Sequence, residues 1–480
     1  MPYPRYDFDG KTVLIMGLGR FGGGVDAAEF ASNAGAKVIV TDLATREQLG
    51  NSIEKTKKYP GIEFHLGSHS PDDFEKADIV IANPAVPGNN KFLEIARRAG
   101  RFVTSQINLF FELCPTQIIG ITGANGKSTT TALTAHLLRG TRDEAREMRD
   151  VHIWLGGNIG NQPLLTILDQ INPDDLVVLE LSSFQLEQLA EIHKAPNVAL
   201  LTNLTPNHLD RYGTFEKYCA AKENIFIFQK PDENSPAISI FNAEDKIAAQ
   251  WFDKYKNEPG RICIKFTADD VTEDIRDCYK LPGRANLSNL TAALAIVKNF
   301  GVDDKSIKKS LPEFKALSHR LELVQEINDV RWYNDSKATT PDGAITALEA
   351  FERPIILIAG GYDKKLPFDE FGKKIAQKAK AAILIGQTAL KIAEAIKNAQ
   401  MSLRGATRRS NLKTRETSHE SRATKIELVN SLTDAVKLAN KLARPGDVVL
   451  LSPACASYDM FENYEQRGNE FSKLVRAFRT

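Results

Sequence analysis

The chain has 480 residues, 42% of them hydrophobic and 26% charged, and its 62 Lys and Arg against 61 Asp and Glu leave a formal charge of +1. At roughly 100–200 residues per domain that length predicts more than one core, and the charge balance offers nothing to a nucleic acid or a charged membrane surface. No apolar run approaches the ~18 residues that span a bilayer, MPYPRYDFDGK lacks the pattern of a secretory leader, and the five scattered cysteines carry no CxxC; the sequence reads as a cytoplasmic protein with reduced thiols, no nucleic-acid partner and no membrane insertion.

In chain order, TVLIMG, KVIVTD, DIVIANP and FVTS predict strands, with the amphipathic GGVDAAEFASNAG and NKFLEIARRAG between them, each stopping on glycine. That βαβ rhythm predicts a parallel sheet. After LCPTQ a second βα series begins, with QIIGI, DLVVLELS and VALLTNLT as strands. A third follows LPEFKALSHR and holds VRWYNDS, PIILIAGG, AAILIG and DVVLLSPA. The fold class is therefore α/β in three domains: a Rossmann-like parallel sheet over 1–106, a central P-loop ATPase-like domain over 107–316, and a Rossmann-like domain over 317–480. Residues 141–150 and 401–424 are polar and lack apolar periodicity. The second stretch is basic, which leaves open a patch for a partner or, more plainly, a solvated surface insertion.

GITGANGKSTTTA carries the strongest chemical signal. A buried-looking strand runs into glycines Gly123 and Gly126, and Lys127–Ser128–Thr129 open a helix. Backbone amides and a helix N-terminus there face phosphates. Lys127 supplies a point charge, and Ser128 is a ligand for Mg²⁺. The match to GxxxxGK[ST] is not strict, because Ile121 stands where the first glycine belongs. About a hundred residues earlier Gly17, Gly19 and Gly22 form GxGxxG after a strand, and Asp42 closes the next strand. This spacing fits a dinucleotide or any diphosphate, or simply a tight βα turn. Glu180 ends the apolar strand of LELSSFQLE, where a carboxylate reaches a metal or faces solvent. His208 lies in the loop NLTPNHLDR. Lys222 falls on the helical stripe of Phe215, Tyr218, Cys219 and Phe226; there a lysine either snorkels to water or is desolvated with a lowered pKa. The loops YNDSKATTPDG, AGGYDKK and LLSPACASYDMFENYEQRG each follow an apolar strand and suit a carboxylate ligand.

Together, GITGANGKSTTT, GGNIG, LELSSFQLE, NLTPNHLDR, AAKENI, LPGRANLSN, HRLE, NDSKATT, GGYDKK and SPACASYDMFENYEQRGNEF resemble, in order and over nearly the whole chain, the amide-forming Mur ligases of cell-wall synthesis, and among them the glutamate-adding members. That family has its own form of phosphate loop, with glycine at the place of Gly123. The resemblance implies that the first glycine turn holds the uridine diphosphate of UDP-N-acetylmuramoyl-L-alanine and the second holds ATP. It implies an acyl phosphate made by γ-phosphoryl transfer and then displaced by the amine of glutamate. It further implies magnesium at Ser128, Glu180, His208 and a carbamylated Lys222, with Lys127 beside them. Asn125 and Thr129 join the ATP loop, Asn286 and Asn289 match adenine contacts, and Arg320 and Asp335 match phosphate and ribose contacts. Gly17, Gly19, Arg20, Gly22 and Asp42 match the diphosphate end, and Asn158, Ser182 and Gln185 the muramoyl-alanine end. Thr339, Lys364, Ser457 and Tyr464 match the glutamate site, where the last is commonly Phe. The usual Thr-Arg pair after Asp42 is missing from DLATRE. A monomer is expected.

Three other readings have distinct signatures. A nicotinamide dehydrogenase would rest on GxGxxG with Asp42 and would bind NADH. A regulatory ATP-binding protein would release no phosphate with any substrate. A related ligase would take L-glutamate or another amino acid, since the same Lys and Ser would hold either enantiomer.

Overall fold

The computed structural model describes residues 7–20, 22–140, 151–159, 163–232, 234–410 and 423–478. The polar stretch 141–150 and residues 411–422 of the basic stretch lie outside the described residues. Residues 401–410 continue the helix Ala389–Ser410, so the basic stretch begins as helix. The chain divides into two compact units, Met1–Asp270 with Ser288–Leu311, and Val271–Leu287 with Pro312–Thr480.

The first unit carries two sheets. One has strands β1 (Thr12–Met16), β2 (Lys37–Asp42), β3 (Glu63–Leu66), β4 (Ile79–Ala82) and β5 (Phe102–Ser105) in the order β3-β2-β1-β4-β5, all parallel. The other has β6 (Gln117–Thr122), β7 (Ile153–Gly157), β8 (Leu176–Glu180), β9 (Val198–Leu201), β10 (Ala237–Asn242) and β11 (Arg261–Phe266) in the order β11-β10-β9-β6-β8-β7, also parallel. Strands β4, β6, β8 and β9 are near-continuous apolar runs because helices cover both faces of a parallel sheet. One apolar core joins the two sheets: Val13 and Ile15 belong to the same buried cluster as Ile107, Phe110, Leu164, Leu179 and Leu201.

The second unit holds β12 (Glu322–Ile327), β13 (Val330–Asn334), β14 (Ile355–Ala359), β15 (Ala379–Leu384), β16 (Lys425–Leu428) and β17 (Val448–Leu451) in the order β12-β13-β17-β14-β15-β16. It is parallel except for β12, which pairs antiparallel with β13. The expectation of purely βα alternation misses this hairpin. Its loop is Asn328–Asp329, with φ of 51° and 59°, the left-handed pair that a tight hairpin turn demands and that Asn and Asp tolerate. Buried apolar side chains lie on both sides of the sheet, one cluster around Leu357, Leu384 and Phe371, the other around Trp332, Ile356 and Phe471.

In all three sheets the glycine turns and polar loops leave the carboxyl ends of strands, the edge at which open parallel sheets bind ligands. Among the described residues no helix is long and apolar enough to cross a membrane.

Candidate active site

β6 delivers the chain into the central glycine loop. Gly123 (φ +146°) and Gly126 (φ +83°) are both conformationally and sterically required, since a Cβ at the first would overlap Thr202 Oγ1 and at the second Asn289 Oδ1. Ile121, which breaks the strict motif, is a fully buried strand residue; the turn begins only at Gly123, so the usual first-glycine position falls inside the sheet. The loop after β9 braces the turn. Ala124 N donates to Asn203 O (2.8 Å), Asn125 N to Asn203 Oδ1 (2.9 Å), and Thr202 Oγ1 to Asn125 O (2.6 Å). The helix Lys127–Gly140 starts at once, so its N-terminal end faces the loop, an arrangement that favours phosphate. Lys127 Nζ donates to Ala124 O at 2.9 Å, and Ser128 and Thr129 are buried in the first turn.

Glu180 ends β8 beside that turn and is 2% exposed. Its Oε2 accepts from Ser128 Oγ at 2.5 Å and its Oε1 from Asn158 Nδ2 at 3.1 Å. Lys222, from the helix Phe215–Ile227, is 1% exposed, so it does not snorkel. Its Nζ donates to Thr122 Oγ1 at 3.1 Å and lies 5.1 Å from the centre of the Tyr218 ring. Burial, with the charge of Lys127 nearby, lowers its pKa far below that of a free lysine, so the neutral amine is favoured. His208 caps a short helix with φ of 52°, its ring 5.0 Å from that of Phe184. Partial desolvation of the ring, then the nearby Lys222 and Lys127, hold the imidazole below its ordinary pKa. Thus the first unit gathers Lys127, Ser128, Asn158, Glu180, His208 and Lys222 about one loop. Ser182 and Gln185 form a capping box on the helix Ser183–Glu191, with Ser182 N donating to Gln185 Oε1 at 2.9 Å. Asn289 accepts from Thr130 Oγ1 at 3.3 Å.

At the other turn Gly17, Gly19 and Gly22 have φ of +89°, +64° and +89°. Asp42 spends both oxygens on backbone amides, Gly19 N at 3.1 Å and Ala44 N at 2.8 Å, and so braces the turn. Asn83, after β4, donates to Gly17 O at 3.3 Å. Arg20 is exposed.

The second unit gathers its own set. Asp335 follows β13 and is buried, accepting from Ser452 Oγ (2.8 Å) and Leu321 N (3.2 Å). Burial raises its pKa to about 7 against these bonds and the half-buried Arg320. Lys364 Nζ donates to Thr339 O at 3.4 Å, bringing two of the expected glutamate residues together. Ser457 is buried, and Tyr464 OH accepts from Lys337 Nζ at 2.7 Å. Asn286 is buried and donates to Pro282 O at 2.7 Å.

Sequence reasoning missed the residues that hold these loops. Arg467, 1% exposed, donates to Ser336 Oγ and O (both 2.9 Å) and to Cys455 O (3.1 Å), tying the NDSKATT loop to the SPACAS loop. A charge on an amphipathic helix reads as surface; only the glycine beside it, Gly468, hints at close packing. Thr202 and Asn203 were equally silent, although both stand in the strand segment VALLTNLT.

The chain matches the family model described as Mur ligase middle domain over residues 121–280 and that described as Mur ligase, glutamate ligase domain, over 319–455. It belongs to the Mur ligase family. Among its relatives are proteins named UDP-N-acetylmuramoylalanine–D-glutamate ligase from Roseiflexus sp. (strain RS-1), 38% identical over 98% of this chain and 99% of that one, and from Clostridium tetani, 36% identical over 97% and 96%. MurF from Acinetobacter baumannii shares the fold, with a TM-score of 0.55 at 15% identity over 98% of this chain and 93% of that chain.

Proposed function

We propose that the protein is an ATP-dependent ligase that joins D-glutamate to UDP-N-acetylmuramoyl-L-alanine in peptidoglycan synthesis, acting in the cytoplasm as a monomer. The observation that carries the reading is the convergence of Lys127, Ser128, Glu180 and Lys222 on one glycine loop, in a chain whose full-length relatives bear that ligase name. The three sheets are read as domains over 1–106, 107–316 and 317–480, concerned with the uridine diphosphate substrate, ATP and glutamate in turn.

A carboxylate is a poor electrophile toward an amine. In this reading an oxygen of the alanyl carboxylate attacks the γ-phosphorus, the bond to the β–γ bridging oxygen breaks, and ADP departs. The glutamate nitrogen then attacks the acyl carbon and loses its proton as the C–O bond breaks and phosphate leaves. Such transfer rests on positioning and charge neutralisation. Lys127 and the amides of the helix start face the phosphates, with Gly123, Asn125, Gly126 and Thr129 shaping the cradle. Asn286, Asn289, Arg320 and Asp335 keep the nucleotide roles of the family resemblance. Gly17, Gly19, Arg20, Gly22 and Asp42 take the diphosphate end, Asn158, Ser182 and Gln185 the alanyl end, and Thr339, Lys364, Ser457 and Tyr464 the incoming glutamate.

Among the described residues no group of three or more His, Cys, Asp or Glu could hold a metal alone. The donor set nonetheless fits magnesium, which takes few protein carboxylates and fills its shell with phosphate oxygens and water. Ser128 and Glu180 would hold it, with His208 and Lys222. A buried neutral Lys222 amine can attack the carbon of CO₂, forming an N–C bond and losing a proton, which converts a repelling ammonium into an anionic oxygen donor. Bound there, magnesium would neutralise charge on the phosphate oxygens.

A coupled phosphate-release assay with UDP-N-acetylmuramoyl-L-alanine, ATP and a panel of amino acids tests this. Release should require all three components and D-glutamate. Release with L-glutamate or another amino acid alone would overturn the acceptor, and no release in any combination would overturn the ligase.

A further inference from the structure

Asp26 is a carboxylate, 4% exposed, in the apolar core shared by the two sheets of the first unit. All its acceptor capacity is taken. Oδ2 accepts from Gln106 Nε2 (2.5 Å), Leu164 N (2.9 Å) and Leu165 N (2.9 Å), and Oδ1 from Thr166 N (3.1 Å) and Thr166 Oγ1 (2.8 Å). A buried charge so fully bonded is costly to place and costly to break, and an apolar pair would serve adhesion alone as well.

What it joins is specific. Asp26 lies in the first turn of the helix Gly23–Asn33, which grows directly out of the Gly17–Gly22 turn. Gly24 sits so close to the carbonyls of Gly17 and Leu18 that a Cβ would overlap both, so helix start and turn are packed directly against each other. On the far side, Leu164 packs over Gly156 of β7, where a Cβ would come within 2.7 Å of Leu164 Cδ2. Two residues on, Asn158 binds Glu180 through its backbone N–H (2.8 Å) and its Nδ2 (3.1 Å). A continuous run of contacts thus links the first glycine turn to Glu180, with Asp26 as its charged member.

We propose that Asp26 is a positioning residue that fixes the span between the two ends of one ligand site. This rests on the functional reading above, in which a nucleoside diphosphate sits at the first turn and the alanyl end of the same molecule sits at Asn158, which Glu180 holds. A ligand held at two fixed points gains affinity through effective concentration, and the gain falls when the span between the points slackens. Asp26→Asn keeps the shape but turns an N–H donor toward other N–H donors.

Isothermal titration of wild type and Asp26→Asn with UDP alone and with UDP-N-acetylmuramoyl-L-alanine separates positioning from simple support. UDP affinity should stay within about twofold, while the conjugate weakens on the order of tenfold, a part of the 10²–10⁴ gain that linkage gives. Parallel weakening of both ligands, or no change in either, overturns the proposal. A wild type that binds the conjugate no tighter than UDP would instead remove the functional reading beneath it. Should Asp26→Asn fail to melt cooperatively, Thr166→Val, which deletes one donor, takes its place. The same selective loss is then expected at roughly two- to threefold, and equal Kd ratios in variant and wild type overturn the proposal.

Discussion

Ser128 Oγ donates to Glu180 Oε2 at 2.5 Å, joining the first turn of the helix after the glycine loop to the end of β8. The two residues are 52 apart in sequence and meet because β6 and β8 are parallel neighbours whose carboxyl ends lie side by side. Lys127 precedes this pair by one residue. Lys127→Ala should fold normally, because the side chain is half-buried and its Nζ donates to a loop carbonyl, that of Ala124. Turnover should fall by ~10²–10³, the cost of removing one preorganised charge from a transition state. A folded variant with near-wild-type ligation would remove the ATP loop from the account.

Lys222 should be carbamylated in active enzyme. Its burial excludes the alternative of a surface lysine, and neutral amines react with CO₂ whereas ammonium does not. Lys222→Ala should lose most activity and recover part of it with added acetate, a small carboxylate that fills the gap. Intact-mass measurement under bicarbonate should show the added carboxyl group in wild type only. A silent Lys222→Ala would contradict the assignment.

Lys364 Nζ lies at 3.4 Å from Thr339 O in the second unit. Lys364→Ala should raise the KM for glutamate, with little effect on that for ATP, by the loss of a charge-assisted bond worth ~1.5–3 kcal/mol. Equal increases for all substrates would mark a structural lysine.

Asp335 gives the pH dependence. Its folded pKa, about 7, stands above the ordinary value of 3.8. Between those values the folded state binds more protons than the unfolded state, so stability falls as pH rises from 4 to 7. At ~1.4 kcal/mol per unit the fully developed penalty is ~4 kcal/mol. Asp335→Asn should flatten this contribution, so urea denaturation at pH 5 and pH 7.5 should show a smaller stability difference in the variant. An unchanged difference would mean that Asp335 is ionised at little cost.

The sequence made the glycine loops legible because their constraints are local: an apolar strand, glycines at positive φ, and a helix opening at Lys127. Strands β3, β7, β10, β11, β12 and β16 escaped. All but β10 are edge strands, and β3 and β12, half exposed, lack the unbroken apolar run of central parallel strands. Asn328–Asp329 could have revealed β12, had the pair been weighed as a hairpin turn. Lys222 was ambiguous in sequence because a helical stripe does not say how deep it lies. Asp26 and Arg467 were invisible because pattern reading assigns charges to the surface; only the three-dimensional convergence of Leu164–Thr166 on one, and of the loops after β13 and β17 on the other, shows why they are buried.

In the proposed reaction the alanyl carboxylate is phosphorylated before the amide forms. UDP-N-acetylmuramoyl-L-alanine labelled with ¹⁸O in that carboxylate, turned over with ATP and D-glutamate, tests it directly by mass analysis of the phosphate released. Each phosphate should carry one ¹⁸O from the substrate. Phosphate free of label, released alongside full amide formation, would contradict it.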